Sequence, residues 1–127
     1  MIDHTGYNVS DFQKSKNFYL KALKPIRYEA LVVMSKEQAG ANVIGFGEAP
    51  KPDFWMVEGT PQTPHIHIAF RAETRAQVDE FYKAAMEAGG RDNGKPGLRR
   101  HYHANYYGAF VLDPDGHNVE VVCHGEK

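Results

Sequence analysis

Along the chain, hydrophobic positions change period in an order that occurs twice. Ile2 to Val9 is a short β-compatible run, and Ser10 or Asp11 then offers an N-cap. From Asp11 to Leu23, Phe12, Ser15, Phe18, Tyr19 and Ala22 recur at three- and four-residue spacing, which predicts an amphipathic helix ending before Pro25. Ile26 to Met34, Asn42 to Phe46 and Phe54 to Val57 read as strands separated by Gly, Pro and charged residues. Gly59-Thr60-Pro61-Gln62-Thr63-Pro64 has the composition of a linker, and after it the order restarts. His65 to Arg71 predicts a strand, and Glu73 to Ala88 a helix with Val78, Phe81, Tyr82, Ala85 and Met86 on one side and Gly89-Gly90 at its end. Tyr106 to Leu112 and Asn118 to His124 predict strands around the turn Asp113-Pro114-Asp115-Gly116.

The restart is an internal repeat. At an offset of 63, His4 falls on His67, Tyr7 on Phe70, Phe18 on Phe81, Tyr19 on Tyr82 and Ala22 on Ala85 without a gap. Further on, Ala41, Asn42 and Gly45 fall on Ala104, Asn105 and Gly108. The expected fold is therefore α+β: two βαβββ modules in tandem, at about 1–58 and about 65–127, joined by a linker at about 59–64 within a single domain of 127 residues. Two such units pack as a curved mixed sheet with helices outside, leaving a concave face for a ligand.

Composition narrows the partners. Hydrophobic residues make up 42% and charged residues 24%, near globular averages. The net charge of -1 supplies no field for nucleic acid, which leaves a small molecule as the expected partner. No run approaches the roughly 20 apolar residues of a membrane helix, so no membrane partner is expected. Cys123 is the only cysteine, which excludes an internal disulfide framework and fits a reducing compartment. Met1-Ile2-Asp3-His4 has neither the charged nor the apolar region of a secretion signal, and a cytoplasmic location is expected.

Alternation along strands brings candidate chemistry to one face. His4 shares a face with Gly6; His65 and His67 share one, as do Glu120, Val122 and His124. A carboxylate within Val119-Glu120-Val121-Val122 is costly unless it is paired or ligates a metal, and it could equally answer an arginine or lie on an exposed face. Because the repeat superimposes the first and fifth strands, His4, His67 and Glu120 are the expected metal ligands, a two-histidine, one-carboxylate set with open positions. Fe, Mn, Ni and Zn all suit it. His65 is the competitor for the role of His67, and the repeat selects His67. His124 and Tyr107 are candidates for general acid or base. The segment from Pro96 to Tyr107 concentrates arginine, histidine and tyrosine, and its Arg99, Arg100, His101 and His103 are candidates for holding a small anionic substrate. The alternative is an ordinary surface loop with solvated arginines.

His4 in a first strand, His67 within His-Ile-Ala-Phe, and Asp113-Pro114-Asp115-Gly116-His117-Asn118-Val119-Glu120 resemble the strand motifs of the vicinal oxygen chelate superfamily, which includes glyoxalases, fosfomycin-resistance transferases, extradiol dioxygenases and bleomycin-binding proteins. The resemblance covers essentially the whole chain. It implies a glyoxalase-like, divalent-metal-dependent enzyme acting on a small anionic substrate through bidentate oxygen chelation, with lyase or isomerase chemistry of the lactoylglutathione lyase kind. An iron(II) extradiol-type dioxygenase is the first alternative, and a non-catalytic drug-binding protein of the bleomycin-resistance type the second. A homodimer, with or without exchange of modules, is the implied assembly. Glyoxalase I carries a fourth ligand at the position the repeat assigns to Val57; Glu58 is adjacent and would need a bulge to turn inward.

Overall fold

The computed structural model describes residues 1–127. Strand β1 (Thr5–Val9) leads into helix α1 (Phe12–Ala22), a single 3-10 turn (Lys24–Ile26), β2 (Glu29–Met34), a one-turn helix α2 (Lys36–Ala39), β3 (Val43–Gly47) and β4 (Phe54–Glu58). The second half repeats the plan with β5 (His67–Arg71), α3 (Arg75–Glu87), β6 (Arg91–Leu98), β7 (Tyr107–Leu112) and β8 (Asn118–Cys123). Each half folds into one four-stranded sheet, with orders β1-β4-β3-β2 and β5-β8-β7-β6, and no ladder joins the two. In both sheets the first strand runs parallel to the last and the rest are antiparallel. Two strand-helix-strand-strand-strand units are thus present, as the repeat requires.

Local chemistry sets the boundaries. Asp11 caps α1 by accepting from the Lys14 amide at 3.1 Å, and Thr74 with Gln77 forms a capping box on α3. Pro25 converts the end of α1 into the 3-10 turn, so β2 begins at Glu29 rather than Ile26. β1 begins at Thr5 and β5 at His67, each later than the hydrophobic pattern predicts. His4 therefore sits just outside its strand.

The two modules share one core. Tyr7 and Val9 of β1, Phe18, Tyr19 and Ala22 of α1, Phe54 and Met56 of β4, Phe81 and Ala85 of α3 and Val119 and Val121 of β8 belong to a single buried cluster. Helices α1 and α3 pack against each other within it. The alternate residues Gly6 and Asn8, and His67, Ala69 and Arg71, project from the other face of their sheets, where every one is exposed or half-buried.

Polar groups fasten the modules inside this core. The Tyr7 hydroxyl is hydrogen-bonded to that of Tyr19, which donates to Asp113 Oδ2 at 2.6 Å. Asp113 Oδ1 accepts from the amides of Asp115 and His117, both at 2.9 Å, so the Asp-Pro-Asp-Gly turn of the second module is braced by a helix of the first. Asp115 in turn accepts from the backbone amide and the hydroxyl of Ser10.

Burial, followed by the nearby Asp113 charge, holds the Tyr7 phenol well above its ordinary range; burial and the coupling to Tyr7 do the same for Tyr19. A phenol raised in the folded state contributes stability that is complete below its unfolded value and is lost as pH rises. Stability should therefore fall above about pH 10, by up to about 1.4 kcal/mol per pH unit for each of the two tyrosines. Urea denaturation between neutral pH and pH 11 tests this. A Tyr7→Phe/Tyr19→Phe variant whose alkaline slope equals that of the parent would remove the assignment.

Candidate active site

Leu112 pairs with Asn118 and Phe110 with Glu120 across the β7–β8 hairpin, so even-numbered residues of both strands share the face opposite the core. That face carries Glu120, Gly108, Phe110 and, just before β7, Tyr106. Glu120 is 1% exposed, with neither a lysine nor an arginine to pair it. His67 Nε2 lies 2.8 Å from Glu120 Oε1, and the Tyr106 hydroxyl donates to Glu120 Oε2. Gly108 leaves this contact room: a Cβ there would lie a tight 3.3 Å from the Tyr106 ring and 3.4 Å from Glu120 Oε2. Burial, then the carboxylate it donates to, keeps the Tyr106 phenol well above its ordinary range, so at neutral pH it is a protonated donor.

The segment from His101 to Tyr106 closes over this pair. His67, Glu120 and Phe110, together with His101, Tyr102, His103 and Tyr106, line an open cleft of about 640 Å³, which fits a small molecule. His103 Nε2 bonds His124 Nδ1 at 2.7 Å, and the edge of the Tyr106 ring meets both imidazoles. Arg99 turns back on its own strand: its guanidinium donates to the carbonyls of Gly97 and Lys95 and lies over the Phe110 ring, 5.4 Å from the centroid. Arg100 is exposed and unpaired.

The structure thus brings together His67, Glu120, His101 and His103, with His124 one ring removed. Tyr107 is a correction. Its hydroxyl donates at 2.7 Å to Asp79 on α3, on the opposite face from Glu120, and that bond is the main reason its phenol is raised. Tyr106 takes the place expected of it. The hairpin register decides it: with Phe110 opposite Glu120, an even-numbered tyrosine, not an odd one, faces Glu120. His65 rests against the His117 ring, 5.5 Å between centroids, and leaves the position beside Glu120 to His67. Glu58 accepts from Asn42 at 3.0 Å, and β4 keeps an unbroken register with both neighbours, so no bulge turns Glu58 inward.

His4 stands apart. It is exposed, its Nδ1 bonds Asp3 at 2.7 Å, and no three His, Cys, Asp or Glu side chains of one chain cluster closely enough to hold a metal. Whether a metal fits is decided by the pair that does meet. A buried carboxylate without a fixed cation, an imidazole nitrogen 2.8 Å from it and an open cleft in front suit adjacent ligands of a divalent ion bound about 2.1 Å from each.

Residues 1–121 match the Glyoxalase/Bleomycin resistance protein/Dioxygenase superfamily. The chain is 32% identical over 122 residues to the metallothiol transferase FosB of Shouchella clausii (strain KSM-K16), covering 94% of this chain and 77% of that protein. Among solved structures, a glyoxalase/bleomycin resistance protein from Albidiferax ferrireducens T118 superposes with a TM-score of 0.75 at 23% identity, covering 95% of this chain and 97% of the other. A mutant of the fosfomycin resistance protein FosX from Listeria monocytogenes, complexed with Mn(II) and 1S,2S-dihydroxypropylphosphonic acid, superposes with a TM-score of 0.69 at 18% identity over 96% of this chain and 88% of that one. The two structures share the fold.

Proposed function

Since the chain belongs to the glyoxalase/bleomycin resistance protein/dioxygenase superfamily, we propose that it is a divalent-metal-dependent enzyme acting on a small anionic substrate. The observation that carries this is the buried Glu120 carboxylate 2.8 Å from His67 Nε2 at an open cleft. His67 and Glu120 of one chain and His4 of a second copy would hold the ion. Such an ion supplies Lewis acidity to two oxygens of a substrate.

The second copy enters because of how the sheets face. Helices α1 and α3 pack on each other within one chain, so the strand faces bearing His67 and Gly6 point away from the shared core, and both residues are exposed. A homodimer in which the first module of one copy faces the second module of the other closes those faces and brings His4 to the pair. One surface meeting its own copy is the usual two-fold arrangement.

The chain's own groups supply the rest. Tyr106 orients Glu120 and holds a protonated hydroxyl at the cleft; the His101–Tyr106 segment forms one wall of it; Arg100, exposed next to the lining residue His101, is free to meet an anion. Lyase or isomerase chemistry fits this set. The 32% identity to a protein named a metallothiol transferase favours a second reading, transfer of a thiol to the substrate.

Elemental analysis of protein purified without chelator should find near-stoichiometric divalent metal in the parent and none in a His67→Ala/Glu120→Ala variant. No metal after reconstitution with Mn, Fe, Ni and Zn would overturn the reading. Turnover of a methylglyoxal–thiol adduct, or of fosfomycin with a low-molecular-weight thiol, separates the two chemistries. Tyr106→Phe should retain metal and lower the rate about 10- to 100-fold.

A further inference from the structure

We infer that the seam between the two modules holds a second binding site, for an amino-acid head group carrying an ammonium and a carboxylate on one carbon. A cavity of about 250 Å³ is lined by Arg27, Tyr28, Glu48 and Asp53 from the first module and by Arg71 and Glu73 from the second. This is below the roughly 300–1,000 Å³ of drug-sized pockets, so the occupant is small.

Opposite charges that share a small cavity ordinarily close on one another. Here only one pair closes, and loosely. Arg71 and Glu48 make no ion pair, and the one contact across the cluster, Arg27 to Glu73, is 3.6 Å long. Asp53 accepts only the Tyr28 hydroxyl, at 2.9 Å. The backbone places these residues around the seam. Arg71 projects outward from β5 by strand alternation, Glu48 follows the end of β3, and Arg27 closes the 3-10 turn with φ of 67°, its amide bonded to the Lys24 carbonyl at 2.9 Å. A left-handed arginine costs about 1–2 kcal/mol, and Arg27 carries it at the residue from which its side chain reaches the cavity.

The walls choose the ligand's chemistry. Two guanidiniums and three carboxylates leave a local charge of one negative unit, which opposes a simple anion, while the guanidiniums oppose a simple cation. A molecule bearing both signs satisfies both walls: its carboxylate takes the arginine forks, and its ammonium lies among Glu48, Asp53 and Glu73.

Tyr28 and Asp53 also line an adjoining cleft of about 420 Å³ that passes Phe70 and Ala69 to His67. Arg71 and His67 lie on the same face of β5, four residues and roughly 13 Å apart. The adjoining cleft gives the side chain of an amino acid seated at the seam a path along β5 to His67. Its role as a second substrate rests on the metal reading; its binding does not.

The test is titration of the chelator-treated protein with L-alanine, by calorimetry and by backbone amide shifts, with acetate and ethylamine as controls. Saturable L-alanine binding that perturbs Arg27 and Arg71, absent with either control, is expected. Arg71→Ala and Glu48→Gln, both exposed positions, should each weaken it roughly tenfold or more with unchanged thermal melting. Glu120→Ala should bind L-alanine like the parent, which separates this site from the metal site. No saturable binding, equal binding of acetate, or binding indifferent to Arg71→Ala and Glu48→Gln would each overturn the inference.

Discussion

Two variants that hold no metal alone, His4→Ala and Glu120→Ala, are expected to recover it when co-expressed. Each should lose more than about 100-fold in metal affinity, since removing a ligand costs at least as much as removing a ligand's own hydrogen-bond partner. If each site takes His4 from one copy and His67 with Glu120 from the other, a mixed dimer contains one complete site and one lacking both groups. Random pairing makes half the dimers mixed, so about one quarter of all sites should fill. Differential tags isolate the mixed dimer, in which half the sites should carry metal. A purified mixed dimer without metal would defeat the shared site and return His4 to its own chain. Within one chain His4 joins no cluster of three ligating side chains, and the mixed dimer separates a site shared between copies from one completed within a chain.

Asp113→Ala should cost about 3–4 kcal/mol of stability. The side chain is 1% exposed and serves three donors: the Tyr19 hydroxyl and the amides of Asp115 and His117. An alanine leaves the buried His117 amide without a partner, strands the half-buried Asp115 amide, and leaves the Tyr19 hydroxyl only its bond to Tyr7, at about 1–3 kcal/mol for each lost bond before relaxation. Tyr19→Phe keeps the two amide bonds and should cost about 1–2 kcal/mol. Urea denaturation at neutral pH reads both. A loss for Asp113→Ala no larger than that for Tyr19→Phe would show that the turn holds itself without its carboxylate.

The duplicated plan was legible because it is written twice: two apolar helices with Phe-Tyr pairs at a fixed distance from a histidine repeat without a gap. Glu120 was legible because a carboxylate inside a β-run needs a partner, and His67 because the repeat selects it over His65. Three features were hidden for physical reasons. β6 was not predicted, since Arg-Asp-Asn-Gly-Lys-Pro-Gly-Leu holds no β-branched or aromatic side chain and is kept extended by pairing with β7, a tertiary effect. Tyr106 was missed because the face of a residue beyond a turn depends on the hairpin register, and the twin tyrosines offer both parities. The place of His4 depends on how the halves of one chain meet, which strand patterns do not encode.

β6 has a consequence for how the protein behaves in a crowded solution. It forms one rim of its sheet, and its pairing slips at Asp92–Gly94 and again at Gly94–Gly97, with Pro96 and the charged Lys95 between. A strand from a neighbouring molecule meets no regular row of amides and carbonyls there, lacks a donor at the proline, and must bury a lysine. The same residues that disguise the strand in the sequence protect the sheet from growing into a fibril.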